Sequence, residues 1–174
     1  PSSSVHVVTH RSKPLADILS ELNKYSNNFI AEQILKTLGA EQSELPGSWA
    51  SGIAVVNSFL DGLGLPAETH RLGNGSGLND VNRVTPELVT ELLRHMHDRF
   101  DLRPEFVASL AVAGTSGTIN RRFEDTPAEM RLRAKTGSLT GVSALSGYVI
   151  TQSGEVLAFS IMMNGYSGRA RSMW

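Results

Sequence analysis

Cysteine is absent from this chain, which excludes disulfides, thiolate catalysis and cysteine-ligated zinc. No charge of one sign dominates: 16 Lys and Arg stand against 17 Asp and Glu, for a formal net charge of −1. That balance leaves no electrostatic footprint for a nucleic-acid backbone or an anionic membrane. No apolar run reaches the roughly 18 residues that span a bilayer. The longest candidate, Val156 to Met163, is strand-sized and interrupted by Ser160. Metal-ligand spacings are missing as well. None of the five histidines sits in an H-E-x-x-H pattern. His95 and His97, two apart, diverge by about 200° on a helix and do not chelate one ion together. They read as solvated helix residues, and neither a metal nor a cofactor is expected. What remains suits a folded body: 174 residues, 40% hydrophobic and 19% charged, without repeats or low-complexity tracts. That length fits one domain, or two subdomains sharing a core. The chain begins Pro1-Ser2-Ser3-Ser4 with no initiator Met or signal peptide and stops at Trp174 soon after a strong strand, so a piece of a longer protein is expected.

The hydrophobic period changes along the chain. After an extended stretch from Val5 to Thr9, the residues Leu15, Ile18, Leu19, Leu22 and Tyr25 follow a helical rhythm. A second helix uses Phe29, Ile30, Ile34, Leu35 and Leu38 and is expected to stop at Gly39. A loop through Pro46-Gly47 leads to a third, roughly Trp49 to Leu63, closed by Gly64. Thr85-Pro86-Glu87 opens a fourth with a hydroxyl N-cap, a proline in the first turn and an acid at the positive end. Its apolar stripe is Val89, Leu92, Leu93, Met96 and Phe100. From about Met130 the pattern alternates, with Met130, Leu132 and Ala134 on one side and Arg131, Arg133 and Lys135 on the other. Val142 to Thr151 and Glu155 to Asn164 read as antiparallel strands joined through Gln152-Ser153-Gly154. The fold class is therefore α+β, mainly helical over 1–129 and antiparallel over 130–174. Tyr25, Phe29 and Trp49 fit helical stripes and are assigned to the core. Arg131 and Arg133 read as solvent-exposed edge charges, and Tyr148 has no assigned role.

Two short motifs carry chemistry. Ser26-Asn27-Asn28 falls in a break between helices, and Lys135-Thr136-Gly137, followed by Ser138, ends a strand. Alone, the first reads as a helix cap and the second as a charged residue before a turn. Their order, and their separation by a little over a hundred residues, match two of the three elements of penicillin-interacting serine enzymes, Ser-x-Asn and Lys-Thr-Gly. The flanking sequence extends the match through Asn23-Lys24-Tyr25, Phe29-Ile30-Ala31-Glu32, Gly75-Ser76-Gly77-Leu78, Asn82-Arg83-Val84-Thr85-Pro86 and Ser138-Leu139-Thr140-Gly141-Val142. From about Val5 to Tyr166 the chain closely resembles the D-alanyl-D-alanine carboxypeptidase/endopeptidase family, the class C low-molecular-mass penicillin-binding proteins.

The resemblance implies a penicillin-binding transpeptidase/β-lactamase-like fold, a helical subdomain plus an antiparallel sheet, with the N-terminal portion of one domain absent. It implies a serine DD-peptidase that acts on peptidoglycan stem peptides through an acyl-enzyme, is acylated by β-lactam antibiotics, and works outside the cytoplasm, in the periplasm or its equivalent. Ser26 would relay a proton to the leaving amine. Asn28 would hydrogen-bond the substrate amide and help fix a catalytic lysine. Lys135 and Thr136 would favour the substrate's terminal carboxylate. Gly137 would let the backbone approach, and the Ser138 N–H would serve an oxyanion hole. The third element, Ser-x-x-Lys, is missing: no serine here is followed three places later by lysine, so the chain alone is expected to be inactive.

Some positions depart from the family pattern. Asn74 and Asn79 replace an acid and a serine, Ser116 stands where an acid is usual, and Thr140 where some relatives carry a glutamine. Gly75 and Gly77 are expected at positive φ in a structural loop beside the cleft. Two rival functions share these residues: a β-lactamase or esterase on the same fold, and a non-catalytic peptidoglycan-binding scaffold.

Overall fold

A computed structural model describes residues 5–42 and 46–167. Among them are five α-helices and one four-stranded sheet: α1 (Leu15–Tyr25), α2 (Asn28–Gln42), α3 (Trp49–Gly62), α4 (Pro86–Asp98), α5 (Arg103–Ser109), β1 (Ala111–Val112), β2 (Leu132–Leu139), β3 (Val142–Ile150) and β4 (Val156–Asn164). The strands pair antiparallel in the order β1-β2-β3-β4. The architecture is α+β, as the change of period indicates. Thr85 caps α4 as its sequence demands, its hydroxyl accepting from the Leu88 amide, with Pro86 in the first turn. Gly64 closes the chain after α3 at φ 76°, and Gly154 turns β3 into β4 at φ 91°.

Alternation along β2 and β3 builds two cores, one on each face of the sheet. Leu132, Ala134 and Leu145 pack with Ala111, Ala113 and Ile119 on one face. Tyr148, the cross-strand partner of Arg133, packs with Leu93 and Leu110 on the other. The Tyr148 hydroxyl donates to the Leu93 carbonyl at 2.6 Å and so pins α4 to the sheet. Burial, followed by the nearby Asp98 charge, pushes its pKa up to about 12, so it stays a donor.

Several expectations are corrected. The second helix does not stop at Gly39 but continues to Gln42. Gly39 is buried where α2 crosses α3, and a Cβ there would run into Ser51 and lie 2.7 Å from the Gly52 nitrogen. Its missing side chain serves helix packing rather than termination. Gly77 has the expected positive φ of 78°, but Gly75 does not. Gly75 is instead needed for close approach, since a Cβ would lie 2.7 Å from the Ala31 carbonyl oxygen. Met130 lies outside β2, at φ 58° and largely exposed. Tyr25, Phe29 and Trp49 are not core: they are 67%, 72% and 51% exposed. Phe100 lies beyond α4 and is also exposed. His95 is not fully solvated; its Nε2 is buried, with no hydrogen-bond partner among the described residues, and its ring meets Phe59 edge-on. Arg133 is not on an edge, because β1 pairs with Arg133 and Ala134. Of the loop read between Gly39 and Trp49, residues 43–45 lie outside the described residues. No described helix is long and apolar enough to cross a membrane.

Candidate active site

The break between α1 and α2 is two residues long. Ser26 caps the C-terminus of α1 in the left-handed region, at φ 57° and ψ 50°, with its N–H on the Leu22 carbonyl. A serine there costs on the order of 1 kcal/mol, the kind of local strain that accumulates at functional sites. Asn27 then opens α2, its side-chain oxygen accepting from the Ile30 amide at 3.1 Å. Within this triplet Asn27 therefore takes the N-cap role for α2, and Ser26 closes α1. Ser26 and Asn28 remain exposed on a common cleft.

Lys135 reaches that cleft from β2. Its Nζ donates to Ser26 Oγ at 2.8 Å and to the Thr136 carbonyl at 2.6 Å, joining sheet to helices. Burial holds its pKa below the ordinary lysine value, since desolvation penalises the charged form. The Thr136 hydroxyl lies 2.8 Å from that of Thr118. Thr118 belongs to a short 3-10 turn, Gly117–Ile119. Contrary to expectation, the Lys-Thr-Gly motif does not end its strand, because β2 runs on through Gly137 and Ser138 to Leu139 along the cleft wall; a Cβ on Gly137 would meet only Ala144, at 3.3 Å. The cleft has a volume of about 1140 Å³. Ser26, Lys135 and Thr136 are thus gathered in one hydrogen-bonded group. Asn28, Gly137 and Ser138 line the same space, and the Asn28 side chain has no hydrogen-bond partner among the described residues. No group of three or more His, Asp or Glu among the described residues could hold a metal ion.

Sequence reasoning missed the residues that position these. Asn23, one turn before Ser26, donates to the buried Ser109 hydroxyl at 2.8 Å and moors α1 to α5. Thr118 sets the Thr136 hydroxyl. Neither has a local sequence signal, because each partner is distant in the chain. Ser116 accepts from the Val112 amide at 3.2 Å, so its part is in a turn. The glycine-rich loop is held by side chains: Asn82 accepts from the Gly73 amide at 2.7 Å and Asn74 from the Gly77 amide at 2.8 Å.

Glu32, on α2, accepts the Gly75 and Ser76 amides at 3.1 and 3.0 Å and so pins the loop to the helix that starts at Asn28. Partial burial pushes its carboxyl pKa up, but hydrogen bonds from Ser76, the Gly75 amide and Trp49 outweigh that and leave it below the usual value. A depressed carboxyl pKa contributes stability above its unfolded value and loses it as pH falls through its folded value. Replacing Glu32 by Gln should therefore cost about 1 kcal/mol at neutral pH and flatten the acid side of the stability profile. Thermal melts across the acid range check this; an identical acid slope in both proteins would contradict it.

A family model described as D-Ala-D-Ala carboxypeptidase 3 (S13) family matches residues 1–173. The chain belongs to this family. It is 43% identical over 166 residues to a D-alanyl-D-alanine carboxypeptidase of Actinomadura sp. (strain R39), covering 92% of this chain and 30% of that protein. The crystal structure of penicillin binding protein 4 from Haemophilus influenzae superposes with a TM-score of 0.86 at 33% identity, over 92% of this chain and 36% of that one. The chain thus spans about a third of the length of these relatives. A class A β-lactamase representative from Bacteroides cellulosilyticus shares the fold, with a TM-score of 0.68 at 20% identity, over 91% of this chain and 58% of that one. The family and the fold expected from the two motifs are those found.

Proposed function

We propose that this chain supplies the Ser-x-Asn and Lys-Thr-Gly walls of a serine DD-peptidase acting on peptidoglycan stem peptides. The observation that carries the reading is the 2.8 Å hydrogen bond from Lys135 Nζ to Ser26 Oγ across the cleft. It sets a cation and a proton-relaying hydroxyl side by side, as acyl transfer from a peptide with a free C-terminus requires. Membership of the carboxypeptidase family supports it.

The nucleophile belongs to a Ser-x-x-Lys motif in the part of the protein that precedes this chain. Its hydroxyl oxygen attacks the carbonyl carbon between two D-alanines. As the C–N bond breaks, the serine's proton passes by way of Ser26 to the departing nitrogen, and water later splits the ester. Lys135 and the Thr136 hydroxyl hold the terminal carboxylate. Asn28, free to bond outward, takes the substrate amide. Beyond Ala134, β2 has no partner on its β1 side among the described residues, so an extended peptide can lie along Lys135–Ser138, with the Ser138 N–H at the oxyanion. Residues 1–129 and 130–174 then form two parts of one domain, completed by the preceding portion. The half-exposed Leu157 and Ile161 on β4 are consistent with further cover there. Such a substrate places the enzyme outside the cytoplasm.

Penicillins should trap the enzyme as the acyl form. Penicillin binding protein 4 of Haemophilus influenzae has been solved complexed with a novel β-lactam. Intact mass of the full-length protein with and without benzylpenicillin, followed by peptide mapping, tests the reading. One adduct on a serine upstream of Pro1, in a Ser-x-x-Lys context, is expected. No adduct on folded protein, or an adduct on a serine within this chain, overturns it.

A further inference from the structure

A second cavity, of about 420 Å³, opens where α5 meets the far end of β2 and shares no lining residue with the cleft. Its volume lies within the roughly 300–1,000 Å³ of small-molecule sites. Three arginines converge on it: Arg103 from α5, Arg131 from just before β2, and Arg133 from β2 itself. His97 joins them, and no carboxylate among the described residues lines the space. Arg103 donates to the His97 carbonyl at 3.3 Å and Arg131 to the Thr151 carbonyl at 2.9 Å. Each of those bonds occupies one nitrogen and leaves the rest of the guanidinium fork without a partner among the described residues. The Arg133 side chain has neither a hydrogen bond nor an ion pair among the described residues, although the residue is half-buried. The nearest acid to His97 is Asp98, 3.7 Å from Nδ1, with a largely exposed side chain.

Grouped like charges repel, and a partly desolvated guanidinium is stable only with an acceptor. The rest of the lining is apolar: Val107 and Val156 form walls around the buried ring of Tyr148. The Tyr148 hydroxyl is committed to the Leu93 carbonyl, so the ring offers its hydrocarbon surface. Charge on one side and hydrocarbon on the other describe a single class of guest. We infer that this cavity binds a small organic anion, a carboxylate carried on an apolar body, with the arginine forks on the carboxylate and the Val107–Tyr148–Val156 surface on the body. Planar guanidinium forks match a carboxylate in bidentate geometry. The inference does not depend on the peptidase reading.

Titration calorimetry of the full-length protein tests it, with three probes: cyclohexanecarboxylate, the neutral cyclohexanecarboxamide and inorganic phosphate. Saturable binding of the carboxylate is expected, none of the amide, and phosphate weaker by about tenfold or more. Arg133→Gln and Arg103→Gln should each weaken the carboxylate by about tenfold. Val156→Asp, which leaves all three arginines in place, should abolish binding by placing a negative charge on the wall. Lys135→Ala should leave binding unchanged and so separate this cavity from the cleft. Melting curves establish that each variant is folded. Absence of saturable binding by the folded parent, equal affinity for phosphate, full affinity in folded Arg133→Gln or loss in Lys135→Ala would each overturn the inference.

Discussion

Replacing Lys135 by Met should slow the proposed acylation of the full-length protein by benzylpenicillin by about 10³-fold, while its melting temperature should rise. The two effects have one source. Lys135 places its ammonium against Ser26 Oγ and the Thr136 carbonyl, where the proposed mechanism would need it for an incoming carboxylate and a moving proton. Burial makes that same place costly for a charge, which is why its pKa is depressed. Methionine keeps the length and removes the charge, and exchanging a buried charge for an apolar side chain is often neutral or stabilising. The pH dependence follows in sign. Between the lowered folded pKa and the unfolded value the unfolded chain binds more protons, so the parent's stability rises with pH through that window. The gap in melting temperature should therefore narrow as the medium becomes alkaline. Stopped-flow acylation and melts at two pH values measure both. A methionine variant that melts lower would mean that the hydrogen bonds of Lys135 outweigh its desolvation, and the argument from burial would fail.

Gly117→Val should be the most damaging change among the glycines beside the cleft, costing about 3–5 kcal/mol in denaturant unfolding. Two penalties coincide there. The backbone sits at φ 63°, where a β-branched residue is strained. A Cβ would also lie 2.6 Å from the Lys24 carbonyl oxygen and 2.7 Å from the Ala111 Cβ. Lys24 is in the last turn of α1, two residues before Ser26, and Thr118 follows immediately with its hydroxyl on Thr136. Relief of the clash must move either the helix end that carries Ser26 or the turn that sets Thr136. Reduced stability should therefore come with slower acylation even where the variant is fully folded. An unchanged denaturation midpoint would refute this account of the joint.

What the sequence discloses here depends on how local each determinant is. Thr85-Pro86-Glu87 announces α4 because a cap, a fixed φ and a helix dipole act within one turn. The β3–β4 hairpin is equally plain, from two alternating runs around a glycine turn. The two motifs are legible for the same reason: each is contiguous, one between two helices and the other within a single strand. β1 is not legible. Two residues carry no period, and Ala111 and Val112 become a strand only because Ala134 and Arg133 are there to pair with them. Gly39 was expected to end a helix, a local rule, but its determinant is the neighbouring helix at Ser51 and Gly52. Tyr25, Phe29 and Trp49 fit an apolar period and are nevertheless exposed, since a period says which residues share a face and not what covers it. The positioning roles of Asn23, Glu32 and Thr118 escape notice because their partners, Ser109, the Gly75–Ser76 amides and Thr136, are brought to them by the fold.

The bond between Lys135 and Ser26 joins residues 109 positions apart. In folding terms it closes one of the longest loops in the molecule, and loop closure is paid before the contact returns anything. The β3–β4 hairpin and the α2–α3 pair need only neighbouring sequence and can be native while the cleft is still open. The machinery therefore comes together after the scaffold and comes apart before it. Gentle denaturation should separate the two events, parting Lys135 from Ser26 while most amide protons remain protected.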